Sequence, residues 1–188
     1  MALLVPSAGA PAPVTSALGL KNMSFDHKAF EFDWQAFSAE MLPWLNDVLA
    51  ANDCKRLTAF VDANIVACRS PYDGELLSPS WQEMLETGDA QEIADFALTK
   101  YYDPSLDHGL GDAWAELEDA LPASMKIALL GQALPHFDPG RQGSYFSTPG
   151  DATKSGALLN HIEIPALREY CNFLERASGN GFGVYVTF

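Results

Sequence analysis

The spacing of hydrophobic and polar positions changes period several times along the chain, and each change marks an element. Phe30, Phe32 and Trp34 alternate with other residues at period two, which predicts a brief strand. From Trp34 to Ala51, Phe37, Met41, Trp44, Leu45, Val48 and Leu49 form one apolar helical stripe, and Pro43 must kink or divide it. Leu57, Phe60, Val61, Ile65 and Cys68 keep helical spacing, so a further helix is expected over about 53–68. Pro71, Asp73-Gly74 and Pro79 make 70–79 a loop. Ser80 with Glu83, and Asp89 with Glu92, have the spacing of capping boxes. The first predicts a short helix to Leu85. The second predicts a helix to about Tyr101 that buries Ile93, Phe96, Ala97 and Tyr101 and is closed by Pro104. Asp112 is expected to cap a helix to Leu121, with Trp114, Leu117 and Leu121 facing inward.

Lys126 to Leu134 is apolar but too short for its period to separate helix from strand. Residues 135–143 read as loop, Tyr145-Phe146 as a small strand, 149–151 as a turn and 152–160 as helix. Pro165 fits a helix start, and Leu167, Tyr170, Cys171 and Leu174 give its buried stripe. Gly179-Asn180-Gly181 ends that helix, and Phe182 to Phe188 alternates as a strand. The expected fold class is α+β: a mostly helical single domain over 23–188, with a small sheet that includes the C-terminal strand at an edge or in the centre.

Composition changes this picture at the N-terminus. Residues 1–22 are rich in Ala, Pro, Ser and Gly, and are expected to form a flexible tail rather than a secretory signal. Across 188 residues no apolar run approaches the length of a membrane span. Cys54, Cys68 and Cys171 are odd in number and widely spaced, which suits buried thiols in a reducing cytoplasm rather than a disulfide framework or zinc site.

Charge changes the picture most. Eleven Lys and Arg stand against 25 Asp and Glu, a formal net charge of −14. A nucleic-acid surface needs the opposite balance. Between 81 and 120 there are eleven acids (Glu83, Glu86, Asp89, Glu92, Asp95, Asp103, Asp107, Asp112, Glu116, Glu118 and Asp119) and one base, Lys100. Carboxylates gathered on neighbouring helices would steer a cationic partner inward.

Candidate chemistry beyond charge is sparse. Asp107-His108 and His136-Phe137-Asp138 place carboxylates beside imidazoles, but no spacing aims three ligands at a metal. Glycines flank Arg141 at 140 and 143, and Ser144 and Tyr145 follow, which is compatible with an anion or ligand loop. The P-loop lysine and the nucleophile-elbow pattern are both missing. No catalytic residue, metal or cofactor is assigned.

Asp107-His108-Gly109-Leu110-Gly111-Asp112-Ala113-Trp114-Ala115-Glu116-Leu117 is followed by Leu129-Leu130-Gly131, the 140–146 turn, and the closing Gly181-Phe182-Gly183-Val184-Tyr185-Val186. Over about 105–188 this order resembles the YfbM-like family of small bacterial α+β domains, with a shorter segment between the turn and the last helix. The resemblance implies an α+β fold and carries no residue role. In type rather than motif, the chain is also similar to the acidic immunity proteins of bacterial toxin systems.

The expectation is therefore a non-enzymatic, cytoplasmic binding protein. It would neutralise a basic protein partner, most concretely a cognate toxin effector, without membrane or nucleic acid. Asp103, Asp107, Asp112, Glu116 and Asp119 would make the contact, with Tyr102 and Trp81 as aromatic anchors. The alternative is a small enzyme or ligand-binding domain with a pocket at His136, Asp138, Arg141, Ser144 and Tyr145.

Overall fold

The computed structural model describes residues 26–188. The expected tail, 1–22, and the expected domain start at 23 lie outside the described residues.

Strand β1 (Lys28–Phe32) ends at Asp33, whose carboxylate accepts the Ala36 N–H and so caps α1 (Trp34–Glu40). Trp34 opens the helix, as its stripe predicts, and does not extend the strand. The long stripe to Ala51 does divide: α2 (Leu42–Ala51) starts afresh with Pro43 in its first turn, where no N–H is needed. Helix α3 (Cys54–Ala63) stops short of Cys68, because the Asn64 side chain donates to the Phe60 carbonyl at 2.8 Å and takes over the helix end.

Ser80 does not build its capping box. Its hydroxyl lies 3.1 Å from that of Ser78, and Trp81–Met84 is a single 3₁₀ turn. Asp89 does cap α4 (Ala90–Leu98), accepting from Glu92 N–H at 3.0 Å, and the chain continues through a 3₁₀ turn at Thr99–Tyr101. Asp112 precedes α5 (Ala113–Ala120) but makes no side-chain cap bond. The ambiguous apolar stretch resolves into α6 (Ala123–Leu130) and a two-residue strand β2 (Gln132–Ala133), separated by Gly131 at φ +95°. After β3 (Ser144–Ser147), Thr148 caps α7 (Pro149–Leu159) by accepting from Asp151 N–H at 3.1 Å. The residues expected to form a turn at 149–151 are thus its first turn. Helix α8 (Pro165–Gly179) and strand β4 (Gly183–Thr187) complete the described chain.

The fold is α+β and mostly helical, with one four-stranded antiparallel sheet in the order β1-β4-β3-β2. The last strand is central, inserted between β1 and β3. Alternation along the strands sends side chains to two separate cores. Phe30, Phe32, Phe146 and Tyr185 join Phe37, Leu45, Leu57, Trp81, Phe96 and Tyr101 from the helices preceding 102. Ala29, Val184 and Val186 join Trp114, Leu117, Leu129, Leu167, Tyr170 and Leu174 from the helices following 112. Helices α1–α4 therefore cover one face of the sheet and α5–α8 the other, which is why β4 reads apolar at nearly every position.

Edge strand β1 is sealed by the segment after α4. Gly111 N–H donates to His27 O at 3.0 Å, and His108 N–H donates to Ala29 O at 2.8 Å. The Asp107 carboxylate accepts from Ala29 N–H at 3.0 Å, so a side chain here replaces a strand carbonyl. Gly109 permits this approach: a Cβ there would meet the His27 carbonyl oxygen at 1.9 Å.

Candidate functional site

The eleven acids of 81–120 are divided by the sheet: those on and before α4 belong to one helical layer and those on α5 to the other. Of the expected contact acids, Asp103 and Asp107 lie on the segment that crosses between the layers, and Asp112, Glu116 and Asp119 lie at or on α5. Several are also engaged internally. Asp103 accepts from the Ser105 N–H at 3.0 Å and hydroxyl at 2.6 Å, and stands 3.6 Å from Arg69. The Ser105 hydroxyl is the main cause holding its carboxyl below the ordinary range. Asp107 accepts from Ala29 and Gly109 N–H groups. Asp112, Glu116 and Asp119 remain exposed along one stripe of α5. There the Asp112 carboxyl is raised by a hydrogen bond to, and repulsion from, Asp26. The expected anchors are buried rather than exposed. Trp81 is wholly buried and donates its indole N–H to Asp62 at 2.8 Å, and Tyr102 is buried against Phe30 and Tyr185. Neither projects from the surface as an exposed anchor would.

The residues of the alternative pocket are only partly united. His136, Asp138, Ser144 and Tyr145 line a depression of about 300 Å³, and Arg141 lines a different cleft. Ser144 is buried, with its hydroxyl 3.4 Å from that of Tyr185. The Asp138 carboxylate accepts from Gly143 N–H at 2.9 Å. Ser144 has no base beside it among the described residues, so the set lacks the nucleophile–base contact that covalent catalysis requires. Nor do three or more His, Cys, Asp or Glu side chains come together among the described residues in a way that could hold a metal ion.

The cleft holding Arg141 is the stronger site. It has a volume of about 330 Å³ and lies between the N-terminal half of α4 and residues 139–141. Glu86, Asp89, Glu92 and Asp95 line it against Arg141 alone, and Tyr72 forms a wall. Gln91 buckles the two sides together: its Nε2 donates to the His136 carbonyl, and its Oε1 accepts from Asp138 N–H at 3.0 Å.

Two carboxyls of the cleft differ sharply. Glu92 accepts from the N–H groups of Glu86, Thr87 and Gly88 at 2.6–2.8 Å, from the Thr87 hydroxyl, and from the Tyr72 hydroxyl at 3.0 Å. Partial burial opposes ionisation, but these donors outweigh it and bring the Glu92 pKa down to about 2. Asp95, one turn further along α4, has no hydrogen-bond partner among the described residues. Desolvation, and then the fixed charge of Glu92, push it up to about 7. The cleft thus holds one carboxyl kept ionised by the backbone and one without a counter-ion.

Sequence reasoning counted Glu86, Asp89, Glu92 and Asp95 among the acids but did not single them out. Their only signal was the Asp89–Glu92 capping box, which marks a helix start and not a cleft.

A second cleft, of about 670 Å³, opens beside β1. Arg69, Lys100 and Arg176 come to it from three separate segments and meet Glu31, Asp33 and Asp103. Of the expected contact residues, Tyr102 and Asp103 are part of its wall.

No family model matches the chain, and no curated protein or solved structure matches it.

Proposed function

We propose that the chain is a non-enzymatic binding protein for a basic protein partner, and that the cleft between α4 and residues 139–141 receives a cationic side chain of that partner. The supporting observation is Asp95, a carboxyl without a partner in a cleft where four acids face one guanidinium. A Lys or Arg head placed there supplies the missing counter-ion, and the Tyr72 ring offers a face for it. Occupation would convert Asp95 to its carboxylate and release a proton.

The α5 acids contribute differently. They lie across the sheet from this cleft, so their role in the proposal is long-range attraction, which salt screens. A cognate toxin effector is the concrete form of the partner and a toxin-immunity protein the concrete form of the chain. A reducing cytoplasm suits its three unpaired cysteines. No described helix is long and apolar enough to cross a membrane.

Affinity capture from native lysate at low salt, with elution by raised salt, tests the proposal. The wild-type protein should retain a basic protein that a Glu86→Gln/Asp95→Asn variant binds at least tenfold more weakly. Retention of the same protein by both at equal affinity, or capture only of acidic proteins, contradicts it.

A further inference from the structure

The larger cleft opens where the seal along β1 is missing for a single residue. In an antiparallel ladder, alternate residues of an edge strand turn both backbone groups away from their neighbour. Ala29 is such a residue, bonded to Asp107 and His108 rather than to β4, so Glu31 is the next. Two residues further on, the Asp33 N–H donates to the Tyr101 carbonyl at 2.8 Å. Between these closed positions the chain arches away over 102–106, and the Glu31 N–H and C=O have no hydrogen-bond partner among the described residues. The opening has room for one pairing residue and closes on either side of it.

The groups around the opening divide by direction along β1. On the N–H side of Glu31, Arg176 donates Nε to the Glu31 carboxylate at 3.0 Å and holds Nη2 3.3 Å from His108 Nε2, which leaves Nη1 uncommitted. On the C=O side, Asp33 differs from the other carboxylates of the cleft. Glu31 is paired with Arg176 and Asp103 with Arg69, while Lys100 is paired with Glu40. Asp33 accepts the Ala36 N–H at 2.9 Å and makes no ion pair among the described residues. One end of the opening therefore has unspent donors and the other an unspent carboxylate beside an unspent carbonyl. Ala67, Leu106 and Phe182 add apolar surface to the same cleft, whose volume of about 670 Å³ suits a small molecule.

We propose that this cleft binds a free α-amino acid with an apolar side chain, whose main chain pairs with Glu31 as a lone antiparallel residue. Its carboxylate accepts from the Glu31 N–H and from Arg176 Nη1, and its ammonium donates to the Glu31 carbonyl and to Asp33. A zwitterion also suits a lining in which Glu31, Asp33 and Asp103 are matched by Arg69, Lys100 and Arg176, because it leaves that balance unchanged. A longer chain is shut out in both directions by the bonds at Ala29 and Asp33. The inference stands apart from the α4 cleft, which draws on different residues.

The test titrates the whole protein with L-leucine and follows it by NMR. Saturating leucine should slow exchange of the Glu31 amide hydrogen about tenfold or more. N-acetyl-leucine, which lacks the ammonium, and leucine amide, which lacks the carboxylate, should each bind about tenfold more weakly or worse. Asp33→Asn keeps a carbonyl oxygen for the Ala36 N–H, so α1 should stay capped. That variant should lose about tenfold in affinity for leucine but none for N-acetyl-leucine, a distinction that a merely structural role would not produce. Should it fail to fold, the two leucine derivatives on wild-type protein decide the matter. Asp95→Asn should leave leucine binding unchanged, which separates this outcome from that of the α4 cleft. Leucine bound no better than either derivative, an unaltered Glu31 exchange rate, or no binding at about ten millimolar overturns the proposal.

Discussion

His27 shows how one side chain can tie distant segments together. It is fully buried among Trp114, Tyr170 and Phe188. Its Nδ1 accepts from Leu110 N–H at 3.2 Å, and its Nε2 lies 3.4 Å from the Leu129 carbonyl, so the neutral ring with the proton on Nε2 fits both. Burial lowers its pKa from 6.5 to about 4. The native state therefore holds fewer protons than the unfolded chain between those values, and this contribution to stability is lost as pH falls through that window. Asp95 acts in the opposite sense, because its raised pKa lets the native state hold more protons below about 7. The two are separated by comparing wild type with His27→Gln. Between about pH 7.5 and pH 5, denaturant unfolding should show wild type losing about 2 kcal/mol more than the variant. Equal losses would show that His27 is not held neutral. At this scale the sequence was partly legible. Trp81 was expected as an exposed anchor and is wholly buried. Only the Asp62 acceptor, 19 residues away, settles its burial.

Among the elements, local signals were read correctly where one residue sufficed and missed where a competitor intervened. Pro43 divided its helix and Pro165 opened one. Asn64 ended α3 early through a side-chain bond that apolar spacing does not report. The bond from Ala29 to Asp107 was not legible, because it depends on β1, nearly eighty residues away. Asp107→Ala would leave the buried Ala29 N–H without its acceptor and should cost about 1–3 kcal/mol, while Asp107→Asn, which retains a carbonyl oxygen, should cost much less. Chemical denaturation of the two variants checks this. Similar losses for both would mean that the charge, rather than the hydrogen bond, holds the edge.

For the whole molecule, the decisive fact is that the chain covers one face of the sheet before 102 and the other after 112. The acidic stretch 81–120 straddles that crossing. Charge density along a sequence was legible, but its distribution over a folded surface was not. The sheet separates acids that are neighbours in sequence, and the 139–141 loop joins α4 from far along the chain. That Asp95 awaits a cation, as proposed, is tested most directly by titrating the protein with acetyl-arginine-amide, a single guanidinium, and following the amide signals of 92–96 and 140–141 by NMR between about pH 6 and pH 8. Affinity should rise about tenfold over that range in wild type, as a site titrating near 7 requires, and the rise should vanish in Asp95→Asn. Signals that do not move, or an affinity indifferent to pH in wild type, would contradict it.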